Sequence, residues 1–179
     1  GLQRTIDAVV REARRPVRTD LAASCDATSI VRERVRFWSA LAEDQGRRMV
    51  ADVPMLEFQV PVAGDDLADA VDVLIDNVFA HTPEGVPFAV TLRPSQDGGE
   101  PVATHVNLTV EDKGPGISDD PGPRVRTGST GLGLDIVRRM ATGCGGSLTV
   151  GPGGGALASG RQASGTRVDV HLPLLRINP

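Results

Sequence analysis

At 179 residues, 40% of them apolar and 23% charged, the chain can bury one substantial core, and its composition excludes disordered and collagen-like classes. Its 19 basic and 23 acidic side chains leave a net charge of −4, so no overall field points to nucleic acid or a membrane surface as the main partner. No apolar run approaches the roughly 20 residues needed to span a bilayer, and no basic-then-apolar signal opens the sequence. The two cysteines, Cys25 and Cys144, lack the spacing of a disulfide framework or a zinc site and read as reduced thiols.

Over residues 2–13, Leu2, Ile6, Val9 and Ala13 follow the a/d rhythm of a helix seam, which Pro16 stops. Such a short seam is either packed on its own domain or the end of a longer dimeric helix. Residues 18–29 are polar and read as a linker or an edge segment. A second helix is expected over residues 30–47, with Val31, Val35, Trp38, Leu41 and Ala42 on one face and both Phe37 and Trp38 as packing residues. Residues 55–60 alternate between prolines and predict a strand. The next helix starts from a cap at Asp65 or Asp66. It carries a wide apolar stripe through Leu67, Ala70, Val71, Leu74, Ile75, Val78 and Phe79, and ends at His81-Thr82-Pro83. Strands are expected at residues 88–92 and 104–110, a helix at 132–140, and strands at 146–150 and 166–172, the last two joined by a low-complexity loop. This order gives an α+β fold, a two-layer sandwich in which helices cover one face of a mixed, mostly antiparallel sheet, with a short N-terminal helix in front.

Four groups of residues can carry chemistry. Asn77 and His81, four apart, share one edge of a helix, and a neutral asparagine oxygen suits a magnesium ion already bridging phosphates. Asp112-Lys113-Gly114-Pro115-Gly116-Ile117 follows a strand, where a carboxylate can accept from an exocyclic amine while Gly114 and Gly116 let a base approach the backbone. Gly128-Ser129-Thr130-Gly131-Leu132-Gly133-Leu134 heads a helix whose N-terminal N–H groups can meet an anion. It is neither a P-loop nor a dinucleotide fingerprint. Gly165-Thr166 opens the last strand. Taken singly, each has a bland reading: a solvated asparagine, a capping histidine, a tight turn, a strand start.

In order and in context, these four groups resemble the boxes of the GHKL superfamily, whose members share the Bergerat ATP-binding fold, and within it the sensor histidine kinases. Residues 74–83, ending in His-Thr-Pro, look like the N box. Asp112 to Ile117 look like the first glycine box, Gly128 to Leu134 like the second, and Gly165-Thr166 like the last glycine motif. The resemblance implies the ATP-binding catalytic domain of a two-component sensor histidine kinase over residues 19–175, after the C-terminal end of a dimerisation helix at 1–18 and before a tail at 176–179. Asn77 would hold Mg2+ and, with His81, serve catalysis. Asp112, Gly114, Gly116, Ile117 and Thr166 would bind the adenine end of ATP, and Gly128, Thr130, Gly131, Leu132 and Gly133 the phosphates. The implied partners are ATP, the phosphoacceptor-histidine helical hairpin of the same kinase, a response regulator and a second subunit of a homodimer, with no nucleic acid. The implied location is cytoplasmic, any membrane tether lying in preceding segments.

His81, His105 and His171 all fall inside the catalytic-domain pattern, so the chain is expected to bind ATP without phosphorylating itself. Val73 stands one turn before Asn77, where hydrolytic relatives place a glutamate to activate water, and it cannot act as a general base. This favours phosphoryl transfer over hydrolysis. Val73 and Ala80 imply weaker metal or phosphate contacts than kinases often have, and the short stretch between Ile117 and Gly128 implies an abbreviated lid with altered docking on the phosphoacceptor helix. The alternatives are a degenerate nucleotide-binding regulatory module and an anti-sigma-factor-type serine kinase of the same fold.

Overall fold

The computed structural model describes residues 23–96, 102–116, 132–153 and 165–175. The seam at residues 2–13 therefore lies outside the described residues, as do Ile117, Gly128, Thr130 and Gly131. In chain order the elements are β1 (Cys25–Asp26), α1 (Ala27–Asp44), β2 (Met49–Asp52), β3 (Gln59–Val60), α2 (Gly64–His81), β4 (Phe88–Ser95), β5 (His105–Asp112), α3 (Leu132–Gly143), β6 (Ser147–Pro152) and β7 (Thr166–Pro173).

Five strands form the main sheet in the order β2-β4-β5-β7-β6, and β1 pairs with β3 in a separate ribbon. Only β2 and β4 run parallel; the other pairs are antiparallel, so the sheet is mixed as the element order implies. Period-2 alternation sends Val106, Leu108 and Val110 of β5 and Val168, Val170 and Leu172 of β7 into the core. There they meet the α2 stripe, whose Leu67, Val71, Leu74, Ile75 and Val78 are buried as its helical period requires. Each such side chain removed from water contributes roughly 1.5–3 kcal/mol. The opposite sheet face is polar: Asp169 accepts from Thr109 Oγ1 at 2.6 Å and Asn107 Nδ2 at 3.3 Å, and pairs with Arg167 at 2.7 Å.

Several local expectations are corrected. The helix α1 begins at Ala27, because Asp26 caps it by accepting from the Thr28 and Ser29 N–H groups, each at 3.1 Å. It ends at Asp44, where Gly46 takes φ +61° just past the Gln45 cap. The strand β2 follows at Met49–Asp52, where no strand was expected. Residues 55–60 are strand only at Gln59–Val60; Met55 and Leu56 are exposed. No side chain caps α2, whose N-cap is Ala63; Asp65 and Asp66 lie in its first turn, facing the positive end of the helix dipole. Trp38 is buried, and Asp72 accepts from its Nε1 at 2.8 Å, but Phe37 is 63% exposed and Leu41 is also exposed. Phe37 instead carries the Arg34 guanidinium 4.4 Å above its ring. Both cysteines are free and half-buried, and burial pushes the Cys25 thiol up to about 11, where little thiolate forms at neutral pH.

Candidate functional site

Asp112 is the last residue of β5, opposite Phe88 of β4 and one step beyond the Glu111 to Arg167 pair with β7. At this sheet end the carboxylate turns into the helical layer, 7% exposed. The Gly114 N–H donates to its Oδ1 at 2.7 Å, and the Thr166 N–H donates to the same oxygen at 3.3 Å. Both bonds therefore fix the plane of the carboxylate through one oxygen. Burial pushes the Asp112 pKa above the ordinary carboxylate value; the neighbouring Glu111 charge adds to this, while the two backbone N–H groups and His81 act against it.

The glycines around Asp112 stand where a side chain would have no room. A Cβ at Gly114 would lie 2.6 Å from Thr82 Cγ2 and 2.9 Å from Asp112 Oδ1. Gly116 has φ +77°, and a Cβ there would stand 3.2 Å from the Gly165 carbonyl oxygen. Gly165 itself has φ +116°. Asp112, Gly114, Gly116 and Thr166, separated by up to 54 residues in the chain, thus converge at one end of the sheet.

The second half of the site lies along α2. Asn77 is half-buried beside the stripe and His81 is exposed near the helix end. The head of α3 crosses α2 at this level: a Cβ at Gly133 would sit 3.0 Å from Val73 Cγ1 and 3.9 Å from Asn77 Oδ1. Leu132, the first residue of α3, is exposed. A helix N-terminus and a neutral amide oxygen are thereby brought together, a pairing suited to an anion and its counter-cation. Among the described residues no cluster of three or more His, Cys, Asp or Glu side chains is placed to hold a metal by itself. A divalent ion would need the phosphates of a nucleotide to complete its oxygen shell, and the donor set fits magnesium entering with its nucleotide.

Two residues that the sequence reading did not assign to the site join its halves. Thr82, the C-cap of α2, is buried; its hydroxyl donates to the Val78 carbonyl at 2.6 Å and its methyl faces Gly114. Arg47 is 4% exposed and donates to Thr82 Oγ1 at 2.6 Å and to the Thr82 carbonyl at 3.0 Å. In the sequence Thr82 reads as part of a helix stop, and nothing local marks Arg47 as a buried arginine.

Comparison with known proteins bears on the family and the fold. The family described as histidine kinase-, DNA gyrase B- and HSP90-like ATPases matches residues 63–176. The chain is 30% identical over 138 residues to the sensor-like histidine kinase SenX3 of Mycolicibacterium smegmatis, covering 69% of this chain and 33% of that protein. It is 28% identical over 162 residues to the histidine protein kinase DivJ of Caulobacter vibrioides, covering 84% of this chain and 25% of that one. The chain therefore spans between a quarter and a third of these relatives. Among solved structures, the mycobacterial sensor histidine kinase MprB superposes with a TM-score of 0.66 at 25% identity, covering 86% of this chain and 98% of that one. Full-length ShkA in complex with AMPPNP gives 0.66 at 22% identity, covering 97% of this chain and 36% of that one, and shares the fold. The chain belongs to the histidine kinase-, DNA gyrase B- and HSP90-like ATPase family, as an ATP-binding catalytic domain of the histidine-kinase type.

Proposed function

We propose that this domain binds Mg-ATP and presents its terminal phosphoryl group to a histidine on a helical hairpin outside residues 1–179, from which the phosphoryl passes to a response regulator. The observation that carries this reading is the Asp112 carboxylate, buried at the end of β5 with both backbone bonds on Oδ1. Its Oδ2 is then the acceptor for the adenine amine, with Gly114, Gly116 and Thr166 shaping the pocket. Asn77 holds the metal, Gly133 and the head of α3 meet the phosphates, and His81 lies beside them. Magnesium, held through Asn77, would supply positive charge against the negative charge that develops on the phosphates during transfer.

Val73 distinguishes transfer from hydrolysis. It packs on Gly133 one turn from Asn77, in the place a water-activating carboxylate would need, and a valine cannot take a proton. Positioning and charge stabilisation suffice for phosphoryl transfer when a separate chain segment supplies the nucleophile.

Asn77→Ala is expected to lower ATP affinity about tenfold in magnesium while leaving metal-free binding unchanged, because the amide acts through the ion. Calorimetric titration with and without magnesium measures both. The kinase reading is tested by adding a histidine-containing hairpin to the domain with ATP and following phosphohistidine. No binding at millimolar nucleotide would instead favour a regulatory module that has lost its ligand.

A further inference from the structure

We propose that Arg47 is a positioning residue for adenine recognition, setting the place of Asp112 and its glycine loop through Thr82. This rests on the reading of Asp112 as the adenine acceptor. The guanidinium is buried, yet among the described residues it has no carboxylate within ion-pair distance. Its acceptors are neutral: Gln45 Oε1 from Nε at 2.8 Å, Thr82 Oγ1 and the Val86 carbonyl from Nη1 at 2.6 and 3.4 Å, and the Thr82 carbonyl from Nη2 at 3.0 Å. Its Cζ stacks 4.6 Å from the Phe79 ring centre. Burial works against the guanidinium charge, and the Glu84 and Asp112 charges favour it only from beyond ion-pair distance. Burying a charge whose hydrogen-bond partners are all neutral is costly, so a residue that served packing alone would be better replaced by an apolar one.

The fork gathers the turn before β2, the end of α2 and the turn before β4 at one point. From there the path to the site is one contact long. Arg47 and the Val78 carbonyl together fix the rotation of the Thr82 side chain, and that rotation aims Cγ2 at Gly114. Gly114 in turn donates to Asp112 Oδ1. If Thr82 turns, the loop closes to a different distance and the plane of the carboxylate changes. The metal half of the site, Asn77 with the head of α3, lies outside this chain of contacts.

The two halves can therefore be separated by experiment. An oriented carboxylate favours the amine of adenine and repels the carbonyl oxygen that guanine carries in its place. On the 179-residue chain, Arg47→Lys keeps the charge but loses the fork. Measured well below the unfolding midpoint, it is expected to lose about tenfold in ATP affinity and a similar factor in preference for ATP over GTP, the worth of one hydrogen bond. The ratio of affinities with and without magnesium should not change. Thr82→Val, which removes the acceptor but keeps the shape, should relax the preference by the same factor, and the double variant should be no worse than either single one. A purely structural role would lower stability and leave the ATP-to-GTP ratio of the folded protein intact. Native selectivity in Arg47→Lys, or in Thr82→Val should the lysine variant not fold, overturns the proposal while Asp112→Asn still weakens binding about 100-fold. Equal binding by the parent chain and Asp112→Asn overturns the adenine-site reading, and the proposal with it.

Discussion

At pH 7 an Asp112→Asn variant is expected to remain folded, at or above the stability of the parent chain, and to lose about 100-fold in affinity for ATP. The amide oxygen can still accept from the Gly114 and Thr166 N–H groups, so the loop keeps its shape. The amide nitrogen then occupies the place of Oδ2 and presents N–H groups to the adenine amine, donor against donor. Stability moves the other way for an electrostatic reason. Burial raises the folded-state pKa of Asp112 above its unfolded value, so the fold favours the protonated acid. That contribution is full below the ordinary carboxylate pKa and is lost as pH rises through the folded value; at neutral pH the ionised group is a net cost, which the amide relieves. Nucleotide affinity has the opposite sign, because the ionised acid is the better acceptor. ATP binding by the parent chain should weaken as acidification passes through the raised folded value of Asp112, and the amide variant should show no such step. Calorimetry from pH 7 down to about 4, the ordinary carboxylate value, beside denaturant melts, measures both. Parallel pH profiles for the two proteins would remove Asp112 from the adenine site.

Asp112 was legible in the sequence as a candidate, because the acid of Asp-Lys-Gly-Pro-Gly ends an alternating strand and stands in order with three other motifs; taken singly it reads as a tight turn. The stripe of α2 and the alternation of β5 and β7 were legible for the same kind of reason: each buries one face against a single partner layer, and the period shows it. What could not be read was set by contacts distant in sequence. Met49–Asp52 is a short edge strand with no clear alternation, and it exists because its backbone pairs with Phe88 to Thr91. Gln59–Val60 is a strand only because Cys25–Asp26 lies beside it, and Asp26 ties the two by accepting from the Phe58 N–H at 3.0 Å. The end of α1 had a signal that was passed over: Gly46 in the left-handed region is an ordinary helix stop. Arg47 had none. A guanidinium is usually solvated, and only the packing of α2, Phe79 and the turn before β4 around it makes it internal. In the site, the residues proposed to meet the nucleotide were visible as types and spacings, whereas those proposed to hold them in place were not.

Gly165→Ala is expected to be the most damaging single-methyl change in the described part of the chain. A Cβ there would lie 1.9 Å from the Asp112 carbonyl oxygen, 2.8 Å from its carbon and 3.0 Å from Lys113 Cα, all backbone atoms that cannot turn aside as a side chain would. The φ of +116° is also one that alanine adopts only under strain. Relief requires the start of β7 to move away from the end of β5. That movement breaks the bond from the Gly153 N–H to the Gly165 carbonyl at 3.0 Å and shifts the Thr166 N–H off Asp112. The expected loss is about 3 kcal/mol or more, with ATP binding abolished in whatever fraction stays folded. Gly151→Ala is the control. It adds the same methyl on the neighbouring strand β6 with no atom within 4 Å, and should change stability by no more than about 0.5 kcal/mol. Urea midpoints for the two variants, with ATP titrations on the folded protein, separate the effects. If both alanines were tolerated alike, the close backbone approach at Gly165 would not be what forms the adenine end of the site, and the sheet-end pocket would have to be built around Gly114 and Gly116 alone.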